Sequence, residues 1–486
     1  MRRTWSSKRQ LLSGTKSSGF RVSGSTMEKL LSSIEDSKVR NSLLNSVRDG
    51  VLWAIMFGFA ENYIVPFLFY FQASVFLSSL VQGVSQFALG LGQLTGAKIL
   101  LFLKQRKNLV RSMVFLHGFS WVLIFFLTWK TGSPWVGMVL FSLGIFASNL
   151  GSPAWASWMN DLVPPRQRGT FWGKRNRIIG WAQFFAILTG GVVLFLGKKA
   201  GHELASFGVL FLLAAVARIS CLLPLSRQYE PEFHKPDRES EFHFYKFLGK
   251  LFSTNFGRFT LFVMGINFSV YVSASLIPAY LLKVLKVGYL EYSLITMTSA
   301  ILTLVFMPYW GPLADRYGNR RVLIATGLVI PFLALGWALF SSLWALLAIQ
   351  VFSGFVWAGF NLCMSNYIYD AVRPVNIPKI YAYFNTLNTF SVFAGTLVGG
   401  GVADLLILEN VRIAGLGPLR IVFFLSFLVR LALFLILYGK FKEVRPAETS
   451  PPIRYFYIDK PRTYLMARFR KRRMQIKKLS QLFKRE

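Results

Sequence analysis

The feature that most constrains this chain is a series of apolar windows, each about as long as a helix that crosses a bilayer. A transmembrane α-helix needs roughly 20 apolar residues. A transmembrane barrel would instead alternate apolar and polar residues over about ten positions per strand, a pattern that this sequence lacks. Only 16% of the residues are charged, against about a quarter in soluble domains. The sequence therefore predicts an all-α integral membrane protein.

Twelve such windows predict transmembrane helices 1 to 12. Lys104, Arg106 and Lys107 follow helix 2, whereas Lys130 stands alone after helix 3. Because positively charged residues accumulate in cytoplasmic loops, both termini are predicted to be cytoplasmic. The windows fall at about 50–71, 77–102, 109–129, 135–159, 171–196, 205–225, 257–281, 290–310, 322–340, 343–369, 379–406 and 418–439.

The net charge of +34 raises the question of nucleic-acid binding. The basic residues lie in loops and tails beside the apolar windows, however, so no nucleic-acid partner is expected. The tail 441–486 ends in RFRKRRMQIKKLSQLFKRE. Placed just cytoplasmic of a helix, this tail is predicted to bind the anionic headgroups of membrane lipids.

Residues 1–48 are predicted to form a cytoplasmic N-terminal extension. The extension has no apolar core of the kind found in signal peptides, and Met27 could be the true start of the protein. Residues 28–48 are predicted to form a short amphipathic helix on the membrane surface.

The two halves of the chain repeat one another. Residues 161–191 align without a gap with residues 370–400, and the loop 227–256 separates bundles of six helices at 49–226 and 257–440. Internal repeats of this kind are typical of transporters, which place the substrate near the midplane between the halves. Matching pairs include Asp161/Asp370, Asn176/Asn385 and, with small shifts, Pro66/Pro278, Asn149/Asn361 and Arg218/Arg430.

A loop motif follows helix 8 and reads GPLADRYGNRR, from Gly311 to Arg321. Its glycines permit a tight turn and a close approach, and its aspartate can accept hydrogen bonds at a facing helix N-terminus. The motif resembles G-x-L-a-D-R-x-G-r-R of the major facilitator superfamily, whose members carry it between helices 2 and 3 and again between helices 8 and 9. The resemblance covers residues 49–440 and implies twelve transmembrane helices in two pseudo-symmetric six-helix bundles.

In that family the loop latches the cytoplasmic gate while the carrier faces outward. The first half departs from the pattern, because no aspartate lies between Gly92 and Leu109. A symmetric pair of latches is therefore not expected. The resemblance implies the latch role for Gly311, Asp315, Arg316, Gly318 and Arg321.

The resemblance implies a secondary active transporter that moves a small solute by rocker-switch alternating access. We expect a monomer in a bacterial inner (plasma) membrane, with a proton as the coupling ion. No G-x-x-x-x-G-K-[ST] signature of nucleotide binding is present, so the energy would come from an ion or substrate gradient. Two alternatives on the same fold are a flippase for lipids or lysophospholipids and a membrane sensor that transports nothing.

Enzymatic function is not expected. The sequence has no H-E-x-x-H or G-x-S-x-G motif, which would mark a metal site or a nucleophile. Cys221 and Cys363 lie within apolar windows and lack the spacing of metal ligands. No catalytic residue, metal or cofactor is predicted.

One carboxylate lies near the middle of predicted helix 1, in the stretch FGFAENYIVPF. Glu61 is about twelve residues past Asp49, or roughly 18 Å along a helix. A charge at this depth marks a functional candidate. Because burial favours the neutral form of a carboxyl group, Glu61 is predicted to exchange a proton or bind substrate; a buried salt bridge to another helix is the alternative. Gly58, Asn62 and Val65 are predicted to share its cavity-facing side.

Further polar residues lie within the predicted helices. Such residues can bind a substrate or join helices by hydrogen bonds, and the sequence leaves both roles open. They are Asn62, Asn149, Asn267, Tyr271, Asn361, Asn385 and Asn388.

Four charged residues are predicted to be structural. Asp161 could cap helix 5 or pair with Arg168 or Lys174. Arg218 and Arg430 occupy matching positions in helices 6 and 12, which are peripheral supports in the family that the chain resembles. Arg218 could also pair with a buried acid.

Overall fold

A computed structural model describes residue 34 and the ranges 36–103, 105–164, 167–232, 244–372 and 376–445. Within these residues twelve helices are long and apolar enough to span a membrane, which confirms the predicted number. The lipid contacts predicted for the basic tail lie outside the described residues. The helices, numbered 1 to 12, are Ser37–Tyr70, Val75–Leu100, Arg106–Thr131, Pro134–Leu162, Arg168–Lys199, Glu203–Ser226, Asn255–Val284, Tyr289–Tyr317, Asn319–Leu339, Leu343–Ala371, Ile377–Leu408 and Pro418–Leu437.

Helix 1 begins well before its apolar window. Asp36 caps it, accepting a hydrogen bond from the backbone N–H of Lys38 at 2.7 Å, as an N-cap residue does. Residues 37–48, predicted to lie in a separate surface helix, instead form the first turns of helix 1. Their polar side chains have protein partners: the Ser42 hydroxyl accepts from the backbone N–H of Tyr229 at 2.8 Å. Apolarity alone therefore placed the start of this helix too late.

Helix 1 is interrupted at the stretch that holds Glu61. A 3-10 turn over Glu61–Tyr63 separates two α-helical segments. Pro66 accounts for the interruption, because proline lacks a backbone N–H and its ring displaces the carbonyl group four residues earlier. That carbonyl belongs to Asn62 and accepts a hydrogen bond from the Tyr292 hydroxyl of helix 8 at 3.3 Å. The interruption thus links the two bundles.

The predicted repeat is confirmed by the lengths of its helices. Helix 5 and helix 11 are both 32 residues long. Each begins seven residues after its matching aspartate, Asp161 or Asp370. The gapless alignment of the two segments is therefore also a structural correspondence.

Helices 1 to 6 form the first bundle and helices 7 to 12 the second. We call the end where helix 1 begins and helix 12 ends the terminus end, and the opposite end the distal end. At the distal end one hydrophobic core is shared, with Tyr63 and Tyr280 among its buried side chains. At the terminus end each bundle has its own core, around Trp158 in the first and Trp310 in the second. The bundles are thus joined distally.

Polar contacts join the bundles at the same distal end. The Tyr63 hydroxyl lies 2.7 Å from the Ser293 hydroxyl, and the Ser79 hydroxyl lies 2.8 Å from that of Ser275. Both pairs are buried and connect helices of different bundles. The hydrogen bonds add direction to the apolar packing, so the distal end is closed.

Helices 5 and 8 diverge toward the terminus end. A Cβ added at Gly180, midway along helix 5, would lie 2.8 Å from Leu304 of helix 8. Nearer the terminus end, a Cβ added at Gly173 or Gly311 would meet no atom within 4 Å. The close approach predicted for Gly311 is therefore not made in this conformation.

The motif loop is a turn of one residue. Gly318 lies between helices 8 and 9 with φ of +88°, a conformation that favours glycine, as predicted. Asp315 lies in the last turn of helix 8 with 74% of its side chain exposed, and its Oδ1 lies 3.7 Å from Arg445 Nη1.

The start of helix 9 is held by an acid from outside the motif. Glu443, which follows helix 12, accepts a hydrogen bond from the backbone N–H of Arg320 at 2.7 Å. The two other motif arginines contact Tyr317: the Arg316 guanidinium lies 5.4 Å from its ring, and Arg321 donates to its carbonyl at 3.4 Å.

Candidate functional site: a charged cavity in the first bundle

A cavity of about 730 Å³ lies on the inner side of the first bundle. Every residue that lines it belongs to helices 1 to 6, except Pro278 and Tyr292, which belong to the second bundle. The repeat predicted a site between the halves. The cavity is instead lined almost entirely by the first bundle, and the second bundle contributes Pro278 and Tyr292.

Two acidic residues of helix 1 line this cavity. Asp49 is 7% exposed, and the side chain of Glu61 is 15% exposed. Twelve residues of helix separate them by roughly 18 Å, although the 3-10 turn changes the final step. Since helix 1 starts at Ser37, Asp49 is a buried acid inside the helix, whereas the sequence placed it at the helix boundary.

Glu61 faces a histidine that is held by an arginine. His117 of helix 3 places its Nε2 3.9 Å from Glu61 Oε1. Arg218 of helix 6 donates from its Nε to His117 Nδ1 at 3.2 Å and from its Nη2 to the Ser148 hydroxyl at 3.2 Å. Arg218 also interacts electrostatically with Glu61. Arg218, His117 and Glu61 thus lie in a row at the part of the cavity nearer the distal end.

Asp49 has its own cationic neighbour. Arg175 of helix 5 interacts electrostatically with Asp49, and it donates to the backbone carbonyl of Ser46 at 3.2 Å. Its guanidinium also lies 5.0 Å from the Trp155 ring, a favourable cation–π distance. Asp49 Oδ1 and Trp155 Nε1 are buried without a hydrogen-bond partner. The cavity therefore has two acid–arginine regions, one near Asp49 and one near Glu61.

Three of the predicted polar residues line the cavity, and five do not. Glu61, Asn62 and Asn149 are among its lining residues. In the second bundle, the Asn267 side chain donates to Asn388 Oδ1 at 2.6 Å. These two asparagines join helix 7 to helix 11, which is one of the two roles predicted for them. The five outside the lining are Asn267, Tyr271, Asn361, Asn385 and Asn388.

The predicted cavity-facing side of helix 1 is only partly correct. Val65 lines the cavity beside Glu61 and Asn62. A Cβ added at Gly58 would instead lie 2.5 Å from Ala186 of helix 5. Gly58 therefore serves close packing of helices 1 and 5, because the interruption after Phe59 turns the following residues to another direction.

Three of the charged residues predicted to be structural, Asp161, Arg168 and Arg218, have different surroundings. Asp161 pairs with Arg106 at 2.5 Å, a partner that the sequence did not indicate, while Arg168 donates to the backbone carbonyl of Asn160 at 3.0 Å. Arg218 lines the cavity and interacts electrostatically with Glu61, in line with the alternative that it pairs with a buried acid.

Arg430 has the structural environment predicted for it. It is 5% exposed. Its guanidinium donates to the carbonyls of Val270 and Ile330 at 3.0 and 3.3 Å and to the Ser273 hydroxyl at 2.8 Å. These hydrogen bonds connect helix 12 to helices 7 and 9.

Sequence reasoning missed Asp49, His117 and Arg175. His117 lies within the predicted window of helix 3, and an ionisable residue at such a position is a functional candidate. That signal was available for His117. Asp49 and Arg175 were missed because the predicted helices 1 and 5 began at or close to them, whereas the observed helices extend further toward the terminus end.

Comparisons with a known family and with curated relatives each match part of the chain. A family model described as Major Facilitator Superfamily matches residues 259–484. The multi-drug resistance efflux pump PmrA of Streptococcus pneumoniae, in strains ATCC BAA-334 / TIGR4 and ATCC BAA-255 / R6, is 34% identical over 111 residues, which are 22% of this chain and 27% of PmrA. The match thus spans about a quarter of the length of these relatives.

Solved structures share the fold over most of the chain. An auto inhibited POT family peptide transporter superposes with a TM-score of 0.63 at 13% identity, covering 85% of this chain and 99% of that one. A bacterial homologue of the human lysosomal transporter Spinster, inward-facing and unoccupied, gives 0.61 at 15% identity, covering 86% and 100%. The nucleoside transporter NupG gives 0.60 at 12% identity, covering 84% and 100%.

Across the described residues, twelve helices long and apolar enough to span a membrane form two repeated bundles with a cavity closed at one end, which is the architecture of a membrane transporter. The loop motif and the family model over residues 259–484 are those of the major facilitator superfamily, and the fold is shared with transporters of known structure.

Proposed function

We propose that this protein is a secondary active transporter that moves a small polar solute by rocker-switch alternating access, driven by protons that Glu61 carries. One observation carries the proposal: Glu61 lies in a cavity that is closed at the distal end and lined by amide, aromatic and charged side chains. A carboxyl group in such a site can take up a proton on one side of the membrane and release it on the other.

We further propose that the termini are cytoplasmic, in a bacterial inner membrane, so that the described conformation faces inward. The shared distal core and the separate cores at the terminus end support this reading. In the outward-facing state the bundles would part at Tyr63 and Ser293 and would close helix 5 on helix 8. Gly173 and Gly311 leave space for that approach, and Asp315 would then latch the closed end.

The lining favours a water-soluble solute over a lipid. Amide side chains from helices 1, 2, 4 and 5 can exchange hydrogen bonds with hydroxyl or carbonyl groups, and Trp53 and Trp155 offer flat ring faces. An acyl chain would leave these amides unsatisfied, at a cost of about 1–3 kcal/mol for each buried group. The flippase alternative is therefore less favoured. The amides belong to Asn62, Gln82, Gln86, Asn149 and Asn176.

The proposal can be tested with purified protein in proteoliposomes under an imposed pH gradient. The relatives suggest three first probes: uridine, a dipeptide and the cationic dye ethidium, since they are described as nucleoside, peptide and multi-drug transporters. We expect one of these classes to accumulate against its own gradient. Glu61→Gln should lose this pH-driven accumulation, because an amide cannot release a proton, yet should still exchange the solute down its gradient.

A matched control is Glu409→Gln, which makes the same chemical change at an exposed carboxylate at the end of helix 11. This variant should accumulate solute like the wild type. Undiminished accumulation by Glu61→Gln, with unchanged dependence on pH, would rule out proton coupling through Glu61.

A further inference from the structure

We infer that His117 is a positioning residue for Glu61. Held by Arg218 as a neutral imidazole, it presents an N–H group to the Glu61 carboxylate and thereby sets the pH at which the protein changes conformation. The inference rests on the proposed function, because it takes Glu61 to be the group that gains and loses the coupling proton.

Arg218 determines which ring nitrogen of His117 carries the hydrogen. Its Nε–H donates to His117 Nδ1, and an arginine side chain remains protonated and can only donate. Nδ1 must therefore be the acceptor, and the hydrogen of the neutral ring lies on Nε2. Nε2 is the nitrogen that faces Glu61.

The N–H group on Nε2 lacks a partner in this conformation. The His117 side chain is 1% exposed, and Nε2 makes no hydrogen bond. Its distance of 3.9 Å from Glu61 Oε1 exceeds a hydrogen bond by about 1 Å, which a small rotation of the Glu61 side chain can close. An ionised Glu61 would gain from this bond and a protonated one would not, so the pair tightens when the proton leaves.

The other ionisable groups around the pair come from four helices. Arg218 of helix 6 interacts electrostatically with Glu61 and Asp49, and Arg175 of helix 5 interacts with Asp49. Cys221 of helix 6 contacts the Asp49 carbonyl at 3.7 Å. Tyr292 of helix 8 donates to the carbonyl next to Glu61. While these groups stay the same, an uncharged N–H group of His117 shifts the protonation equilibrium of Glu61 without neutralising its charge.

The second bundle shows that a histidine is not needed to hold the arginine. The position that matches His117 in helix 9 is Ile330, when Arg106 and Asn319 are paired as the first residues of helices 3 and 9. Arg430, the mate of Arg218, donates there to the backbone carbonyl of Ile330 at 3.3 Å. A backbone acceptor suffices in that bundle. The imidazole in the first bundle therefore has a further role, toward Glu61.

The experiment uses the proton itself as the ligand and needs no substrate. Spin labels on Thr170→Cys and Tyr369→Cys, at exposed positions of helices 5 and 10 near the terminus end, report the distance between the bundles by pulsed electron paramagnetic resonance. The natural cysteines Cys221 and Cys363 are buried, so they are poor targets for the label. The distance is measured in nanodiscs from pH 5 to pH 9, and its midpoint is compared between variants.

Two substitutions separate the two functions of the ring. His117→Asn keeps an acceptor for Arg218 but loses the donor toward Glu61. His117→Gln places an amide N–H near the position of Nε2. Without the donor an ionised Glu61 is less stable, so it takes up a proton at higher pH. We expect His117→Asn to raise the midpoint by about one pH unit, a tenfold change in proton concentration, and His117→Gln to raise it by less.

Glu61→Gln in the same labelled background separates the two proposals. If it abolishes the pH dependence while both His117 variants keep the wild-type midpoint, the role of His117 is wrong and proton coupling through Glu61 stands. If Glu61→Gln keeps the full pH dependence, coupling through Glu61 fails and the role of His117 fails with it. Ser142→Ala, which alters a buried hydroxyl bonded within helix 4, should leave the midpoint unchanged.

A measurement on the wild type covers the case in which the His117 variants fold poorly. Solid-state nitrogen-15 spectra of histidine-labelled protein resolve the ring nitrogens of four histidines, and replacing His202, His234 and His243 by glutamine leaves the His117 signal alone. We expect His117 to carry its hydrogen on Nε2. A hydrogen on Nδ1, or a doubly protonated ring, would overturn the inference.

Discussion

The two bundles place an arginine at matching positions of helices 6 and 12 and surround it with different chemistry. Arg430 donates to backbone carbonyls and hydroxyl groups of helices 7, 9 and 12. Arg218 donates to His117 and Ser148 and lines the cavity. Arg430 connects three helices by hydrogen bonds, whereas Arg218 lies among ionisable groups. The repeat thus preserves the position of a charge while the neighbours decide its use.

The matching neighbours explain the difference. With Pro66 and Pro278 in register, Glu61 of helix 1 corresponds to Ser273 of helix 7. Arg430 donates to the Ser273 hydroxyl at 2.8 Å, so that position is already satisfied in the second bundle. In the first bundle the same position holds an acid that faces the cavity. The comparison shows that the charged residues that line the cavity, Asp49, Glu61, Arg175 and Arg218, all belong to the first bundle.

The largest expected effect on stability comes from removing the guanidinium group of Arg430. Arg430→Met leaves several buried acceptors without a donor, and we expect the free energy of unfolding to fall by about 3 kcal/mol. Arg218→Met should lose only about 1 kcal/mol, since it makes two hydrogen bonds and its neighbours border a cavity. Unfolding in mixed dodecylmaltoside and SDS micelles measures both values. Equal losses would contradict the difference between the two bundles, because both arginines would then be structural.

A second contrast lies at the terminus end. Arg106 is fully buried and pairs with Asp161 at 2.5 Å. In the second bundle the matching residue is Asn319, which donates to Asp370 at 2.7 Å, and the cation that pairs with Asp370 is Arg445, 47% exposed. Glutamates after the last helix of each bundle complete the match, since Glu230 and Glu443 accept from the first turns of helices 3 and 9.

This contrast predicts an intermediate effect. Asp161→Asn leaves the buried Arg106 with one carboxylate fewer, and we expect the free energy of unfolding to fall by about 2 kcal/mol. Asp370→Asn should cost less than about 1 kcal/mol, because Asn319 is neutral and Arg445 can turn to water. The same micelle titration compares the two variants. A larger loss for Asp370→Asn would mean that the exposed arginine, not the buried one, depends on its acid.

The smallest expected effect concerns the asparagines. Asn388→Ala breaks the bond between helices 7 and 11 and should lower the free energy of unfolding by about 0.6 kcal/mol, without changing uptake kinetics. Asn149→Ala should leave stability nearly unchanged and raise the KM of the transported solute by about fivefold, the worth of one neutral hydrogen bond. If Asn388→Ala also raises KM, the second bundle contributes to the substrate site.

Much of the architecture was predictable, because a bilayer imposes the same length on every helix. Helices 5 and 11 fell in register from one gapless alignment. The start of helix 1 was not predictable from apolarity, since the polar side chains of residues 37–48 find partners within the protein. Within the candidate site, Glu61, Asn62 and Asn149 were predicted, whereas Asp49 and Arg175 were hidden by window boundaries placed too far from the terminus end.

The sequence by itself determined the number of helices, the repeat and the presence of a carboxylate near the middle of the apolar window of helix 1. Hydrophobic length and spacing carry that information within single segments. Tertiary structure alone decided that Arg218 and His117 face Glu61, whereas Arg430 faces carbonyls. The physical reason is that the use of a buried charge depends on neighbours from other helices, and no local pattern records which side chains these neighbours bring.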